Sequence, residues 1–439
     1  MTPDPNVTQK IQRSLRVSWQ EGIAASVMLG IVDFYLVPFG LFMKASTEQI
    51  GLLVAFPRLL SSFSLLFAVR AVQWIGSRLR FIVRGAVLQA ILLIPLAALA
   101  LWDFEGRIYA LIGLVILYRM LESLIGPAWG ALMSDYLTPE KRGTYFGWRS
   151  RIVGTAQVAG MGVAGLILYL TQPAAAAFGF LTIFGIAAIA RLISGSYMSQ
   201  MADLPVHATR EHDFTFLMFL KRFKESNFVK FVFYVSSVVF ATFLSAPYFS
   251  VYMLRDLHLN YLNYMAIHLS SVLMGLLAVP VWGRHADAVG NAQVLKTTGL
   301  LVPLIPFLWI ATKNPAALFC IELFSGLIWA GFNLSATNFV YDAVTPEKRV
   351  RCLGYFNLIN GLAICAGGLL GGCLADRLPP VRGFPILMLF AISGGLRLLT
   401  RLSLGNAFKE VRESHKRVSN SQLFFSVVGI RPILGKDMV

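Results

Sequence analysis

Residues 135–143 read DYLTPEKRG, and residues 342–350 read DAVTPEKRV. A pentapeptide written twice at an offset of 207 is weak taken alone. The same offset, however, superimposes Gly147 on Gly354, Gly154 on Gly361, Gly160 on Gly367 and Gly165 on Gly372. A near-equal offset lays Arg191 in IARLIS on Arg397 in GLRLLT. Two halves of the chain share a plan. Within each copy, Thr-Pro-Glu is a helix-start signature: the hydroxyl caps free N–H groups, proline fits the first turn, and glutamate suits the positive helix end. Asp135 and Asp342 therefore close one helix, and TPEKR opens the next. The spacing from Asp135 to Arg142 is repeated from Asp342 to Arg349.

Composition sets the class. Of 439 residues, 56% are hydrophobic and only 14% charged, with a mean hydropathy of +0.67. Apolar runs of membrane-spanning length alternate with short polar breaks. They predict twelve helices, near 20–42, 47–70, 81–101, 108–133, 148–170, 175–197, 228–253, 262–283, 294–312, 316–340, 352–375 and 384–403. The expected fold is an all-α integral membrane protein with two pseudo-symmetric six-helix bundles, residues 1–197 and 228–404. Residues 198–227 read as a cytosolic linker with an amphipathic helix around Phe214–Phe223. Residues 405–439 read as a cytosolic tail whose LFFSVVGIRPIL patch rests on the membrane face.

The net charge of +16 invites a nucleic-acid reading, but its distribution does not support one. With residues 1–19 inside, 30 of the 38 Lys and Arg fall in inside loops, tails and helix ends. That is the positive-inside bias, and it predicts both termini in the cytosol; the expected location is the cell (inner or plasma) membrane, crossed many times. A soluble basic face with interleaved aromatics is missing, so nucleic acid is excluded as a partner and the lipid bilayer takes its place. The first apolar run lacks a small-residue cleavage site and reads as a retained signal-anchor. Cys320, Cys352, Cys365 and Cys373 form no C-x-x-C pair and imply neither a disulfide framework nor a metal site.

Enzyme signatures are wanting. The sequence carries no phosphate-binding G-x-x-x-x-G-K-[ST], no H-E-x-x-H and no G-x-S-x-G. GMGVAG at 160–165 matches G-x-G-x-x-G, yet it sits in an apolar helix where small residues permit close helix packing. The expectation is a non-enzyme without cofactor or metal.

Charges inside the spans carry the functional signal, because each costs roughly 2.5–3.5 kcal/mol on insertion scales. Asp33 lies near the middle of the first span, Arg58 in the second, and Arg119 and Glu122 in the fourth. Arg119 and Glu122 are three apart and can pair on one face; Arg58 can pair with Asp33. In the second half, Ser237, Ser245, Tyr248 and Tyr252 form one stripe, and Glu322, Ser325, Trp329 and Asn333 another, with His268 and Ser271 as a smaller pair. This content suits a small amphipathic organic solute better than a bare ion. The expected substrate and proton pathway is Asp33, Arg58, Arg119, Glu122, Tyr248, Glu322, Trp329 and Asn333. Asp33 is the first choice for proton coupling, with Glu122 behind it and Glu21 closer to the interface.

A further loop reads GRHADAVG, Gly283 to Gly290, with Asp287 between the glycines. Its counterpart, VRAVQWIGSRLR at 69–80, keeps Gly76, Arg78 and Arg80 but has Gln73 in place of the aspartate. On these motifs the chain resembles the major facilitator superfamily over almost its whole length. That family is built from parallel six-helix repeats, with G-x-x-x-D-x-x-G loops between helices two and three and often between eight and nine. The acidic-x6-Arg pattern resembles the family's cytosolic gate elements, and Arg119 in LYRMLESLIGPAWG resembles its fourth-helix arginine. The fifth span, GTAQVAGMGVAGLIL, departs from the drug-antiporter pattern by lacking proline.

The resemblance implies that helices 1, 4, 7 and 10 line a central cavity exposed alternately as the halves rock. It implies a cytosolic gate of Arg78, Arg80, Asp135, Arg142, Gly283, Asp287, Gly290, Asp342 and Arg349. The function expected is a monomeric, proton-coupled secondary transporter of a small organic molecule. The alternative is a transporter-shaped receptor or scaffold.

Overall fold

The computed structural model describes residues 5–65, 67–171, 175–204, 226–344, 346–412, 418–431 and 433. The expected surface helix at 214–223 and the side chain of Arg349 lie outside the described residues. The chain divides into two compact units, one of Met1–Thr209 with His258–Met265, the other of Arg210–Leu257 with Ala266–Val439. Among the described residues the regular elements are helices, and eleven are long and apolar enough to cross a membrane. A twelfth arises when a pair bent by 59°, Thr47–Leu65 and Ala68–Ile75, counts as one span.

The first unit contains α1 (Pro5–Phe42), α2 (Thr47–Leu65), α3 (Ala68–Ile75), α4 (Arg78–Ala98), α5 (Arg107–Tyr136), α6 (Pro139–Thr171) and α7 (Ala176–Met198). The TPEKR proline opens α6, as Pro at the first helical position should. The α6 helix starts well before the apolar run near 148, because backbone hydrogen bonding continues into the polar segment. In this unit α1 packs on α6 and α7, α4 on α5 and α7, and α2 on α5. Glycine permits the α1–α6 approach. A Cβ at Gly30 would sit 2.2 Å from the Gln157 carbonyl oxygen, and one at Gly160 2.7 Å from that of Val27. Tyr35 donates its hydroxyl to the Met161 carbonyl at 2.8 Å across the same seam.

The second unit contains α8 (Asn227–Phe243), α9 (Ala246–Val251) running into a π-turn at Tyr252–Asp256, then α10 (Tyr261–Val289), α11 (Asn291–Leu301) and α12 (Leu304–Ala311). It continues with α13 (Pro315–Ala343), α14 (Pro346–Ala375), α15 (Pro385–Leu404) and a short α16 (Asn420–Val427). Pro303 separates α11 from α12, where its missing N–H interrupts the hydrogen-bond ladder. The stretch 283–289, read from sequence as a loop, stays helical at the end of α10; the turn comes at Gly290, with φ of +90°.

The duplicated plan holds at the level of contacts. A Cβ at Gly367 would lie 2.5 Å from the Phe240 carbonyl oxygen, so α14 meets α8 as α6 meets α1. Tyr248 donates to the Gly368 carbonyl at 2.6 Å, the counterpart of the Tyr35–Met161 bond. The register is 207 for Met161 and Gly368 but 213 for Tyr35 and Tyr248. Most of the difference arises in the connection between α12 and α13, residues 312–314, which is shorter than residues 99–106 between α4 and α5.

Candidate functional site

Several groups of polar side chains stand out within the two units. The first is in the body of the first unit. Arg119 on α5 donates one Nη to Asp33 on α1 at 2.6 Å and the other to Glu122 at 2.8 Å. The three side chains are 15%, 32% and 36% exposed, so the cluster is only partly enclosed. Arg58 on α2 lies within electrostatic reach of all three. The expected Arg119–Glu122 pair is present; the hydrogen-bonded partner of Asp33 is Arg119 rather than Arg58. Two carboxylates and two guanidiniums at one depth neutralise one another, which is how a low-dielectric region tolerates them.

A second network in the same unit was weighted too low from sequence. Glu21 on α1, 3% exposed, accepts from Arg149 of α6 at 3.0 Å and from the Ser194 hydroxyl at 3.2 Å. Arg191 of α7 donates to Gln89 at 2.9 Å and to Ser194 at 3.0 Å. The Arg149 guanidinium also lies 4.3 Å from the centre of the Trp129 ring. The alignment of Arg191 with Arg397 was the signal available in the sequence. A lone glutamate near a helix end reads as interfacial until its partners from α6 and α7 are known.

In the second unit, an open groove of about 510 Å³ runs between α10 and α13, lined by Ser271, Val272, Gly275, Val279, Gly326, Trp329, Ala330, Asn333, Leu334 and Thr337. It brings Trp329 and Asn333 opposite Ser271, so two of the stripes read from sequence share one wall-to-wall space. Gly326 sets the narrow end: a Cβ there would be 2.1 Å from the Ser271 carbonyl oxygen. Glu322 lies beside it, accepting from Trp309 Nε1 at 3.2 Å, with Ser271 and Ser325 nearby. The α9 stripe goes elsewhere. Ser245 and Tyr248 are buried in packing, and Ser245 accepts from Arg397 at 2.9 Å.

Each unit also carries a charged group at the start of one helix, α4 in the first and α11 in the second. Arg78, the first residue of α4, pairs with Asp135, the penultimate residue of α5. Arg142 turns instead to the α5 terminus, donating to the Ser134 carbonyl at 2.9 Å. Arg80 is exposed, and its backbone N–H is capped by Ser77. In the second unit, Asn291 opens α11 and donates to Asp342 at 2.8 Å. Arg412 joins Asp342 at 2.8 Å and Asp287 at 3.4 Å. Gly283 lies within α10 beside Leu334, and Gly290 precedes Asn291.

Comparison with known proteins places these groups in context. Residues 22–368 match the Major Facilitator Superfamily. The chain is 29% identical over 161 residues to Solute carrier family 22 member 18 of Mus musculus, an alignment covering 35% of this chain and 39% of that protein. It thus matches only about two fifths of that relative's length. Among solved structures, D-xylose-proton symporter superposes with a TM-score of 0.70 at 14% identity, covering 94% of this chain and 100% of that one. Nucleoside transporter NupG superposes with a TM-score of 0.66 at 15% identity, covering 90% and 98%. The family match spans most of the sequence and falls on helices of membrane length, and the chain belongs to the Major Facilitator Superfamily.

Proposed function

We propose that the protein is a secondary active transporter that moves a small organic solute by alternating access, with protons as the coupling ion. The observation that carries this reading is the Asp33–Arg119–Glu122 cluster, part-exposed inside spans where an uncompensated charge is costly. Asp33 and Glu122 share one guanidinium through its two Nη atoms, so protonating either leaves the other paired. That is a simple two-state element for coupling proton uptake to a conformational change.

The substrate pathway in this reading comprises Asp33, Arg58, Arg119 and Glu122 in the first unit, and Glu322, Trp329 and Asn333 along the α10–α13 groove in the second. Tyr248 belongs to the pathway in this reading, although its hydroxyl is committed to the Gly368 carbonyl. An indole face, an amide and hydroxyls suit a compact polar ring compound. The similar structures named for D-xylose with a proton and for nucleosides fall in that chemical range. Arg78, Arg80, Asp135, Arg142, Gly283, Asp287, Gly290, Asp342 and Arg349 form the gate at the cytosolic ends. In this reading the protein is a monomer in the cell membrane, and the positive-inside bias supports both termini in the cytosol.

The test is uptake into proteoliposomes from a library of sugars, nucleosides and related solutes, with and without an inward proton gradient. Accumulation of one compound only when the gradient is imposed supports the reading. Binding without any gradient-dependent accumulation across the library favours a receptor role instead.

A further inference from the structure

The two units complete the same latch by different means. In the first, the acid near the end of α5 and the cation at the start of α4 both come from the repeat itself: Asp135 and Arg78. In the second, Asp342 occupies the position of Asp135, one residue from the end of α13. The first residue of the matching helix, Arg78 in α4, is Asn291 in α11, which carries no charge. Its amide reaches Asp342 but cannot neutralise it, and a second acid, Asp287, stands nearby on α10.

The missing cation arrives from the tail. Arg412 lies beyond the last long helix and bridges Asp342 and Asp287. The Asp342 side chain is 11% exposed, so an ionised carboxylate there depends on a partner.

The approach of the tail is built into the fold. Glu410 accepts from the Ala292 backbone N–H at 2.7 Å, at the start of α11. Gly290, in the left-handed region, leaves room for that carboxylate: a Cβ there would fall 2.3 Å from it. Beyond Arg412, α16 is anchored by Leu423 and Val427, which join a buried cluster with Trp282, Ala286 and Val294. Ser426 meets His285 at 2.8 Å, and Asn420 accepts from Gln293 and Thr297 at 3.0 Å.

We infer that Arg412 is a positioning residue of the second-half gate, supplying from the tail the charge that Arg78 supplies from within the first repeat. The tail is then a working part of the gate. Its kinetic consequence rests on the transport reading; its structural consequence does not.

The test compares Arg412→Ala, Asn291→Arg and the double variant in the full-length protein, by thermal melting in detergent and by solute exchange in proteoliposomes. Arg412→Ala should lower Tm by about 2–4 °C and slow exchange about tenfold, with solute Kd unchanged. Asn291→Arg places the cation where the first repeat has it, so the double variant should recover most of both losses. Wild-type behaviour of Arg412→Ala in both assays overturns the inference. So does a double variant no better than the single one. If the wild-type protein carries no solute, the transport reading fails, and the melting series alone still decides the latch.

Discussion

Arg119 of α5 reaches across to Asp33 of α1 at 2.6 Å while holding Glu122 of its own helix at 2.8 Å. One guanidinium thus serves two carboxylates, and removal of either acid leaves it a partner. Removal of the arginine leaves two acids facing each other with only Arg58 nearby. The asymmetry organises the first two predictions.

Asp33→Asn should fold normally and abolish accumulation driven by a proton gradient, while exchange of solute across the membrane persists. The neutral amide mimics a carboxyl that never releases its proton, so cycling is uncoupled without loss of the binding surface. Gradient-driven uptake and exchange, measured side by side in proteoliposomes, check this. Undiminished accumulation removes Asp33 from the coupling step and moves attention to Glu122.

Arg119→Ala should be less stable than either Asp33→Asn or Glu122→Gln. Leaving charged partners unsatisfied costs about 1–3 kcal/mol, and the partial exposure of these carboxylates keeps the effect toward the lower end. Melting temperatures in one detergent rank the three variants. An Arg119→Ala protein as stable as the two acid variants contradicts the shared-cation arrangement.

Glu21→Ala should destabilise more than Asp33→Ala, although both remove a carboxylate from α1. Glu21 is nearly fully enclosed between Arg149 and Ser194, and its loss leaves Arg149 and Arg191 near one another without the acid. Breaking a buried pair costs about 3–5 kcal/mol. Comparable melting of the two variants argues that Glu21 is solvated rather than enclosed.

The two helix seams make a matched prediction. Gly160→Val and Gly367→Val should each cost about 1–3 kcal/mol, because the added atoms meet the Val27 and Phe240 carbonyls. Gly162→Ala, two residues along α6, meets nothing within 4 Å and should be neutral or stabilising. Equal tolerance at 160 and 162 would falsify the α1–α6 seam.

For topology, single cysteines at 103–107 and 376–382, in a background with the four native cysteines replaced, should be labelled by an impermeant thiol reagent from outside intact cells. Cysteines at 204–212 should be labelled only after permeabilisation. Outside labelling at 204–212 removes the cytosolic placement of the gate.

Much of the architecture was written in local pattern. Apolar runs must become helices in a bilayer because no other local structure satisfies their backbone there, and charge bias orients them. Repeated TPEKR and matched glycines announced two related halves, and Pro139 and Pro346 do open helices. The i, i+3 pair of Arg119 and Glu122 was legible because it lies within one helix.

Partnerships between helices were not legible, since side chains distant in sequence meet only when tertiary packing sets depth and rotation. Periodicity alone leaves Asp33 as well placed for Arg58 as for Arg119. Tyr248 read as a cavity residue because a stripe of hydroxyls looks alike whether it faces solvent or a neighbouring carbonyl. Spacing put Asp135 and Arg142 in one repeated element without naming a partner for either; the fold gives that acid to Arg78 and takes Arg142 to a helix terminus. Arg412 shows the limit most plainly. It lies 70 residues from Asp342 and 125 from Asp287, and only the folding of the tail onto α10 and α11 brings its charge to both.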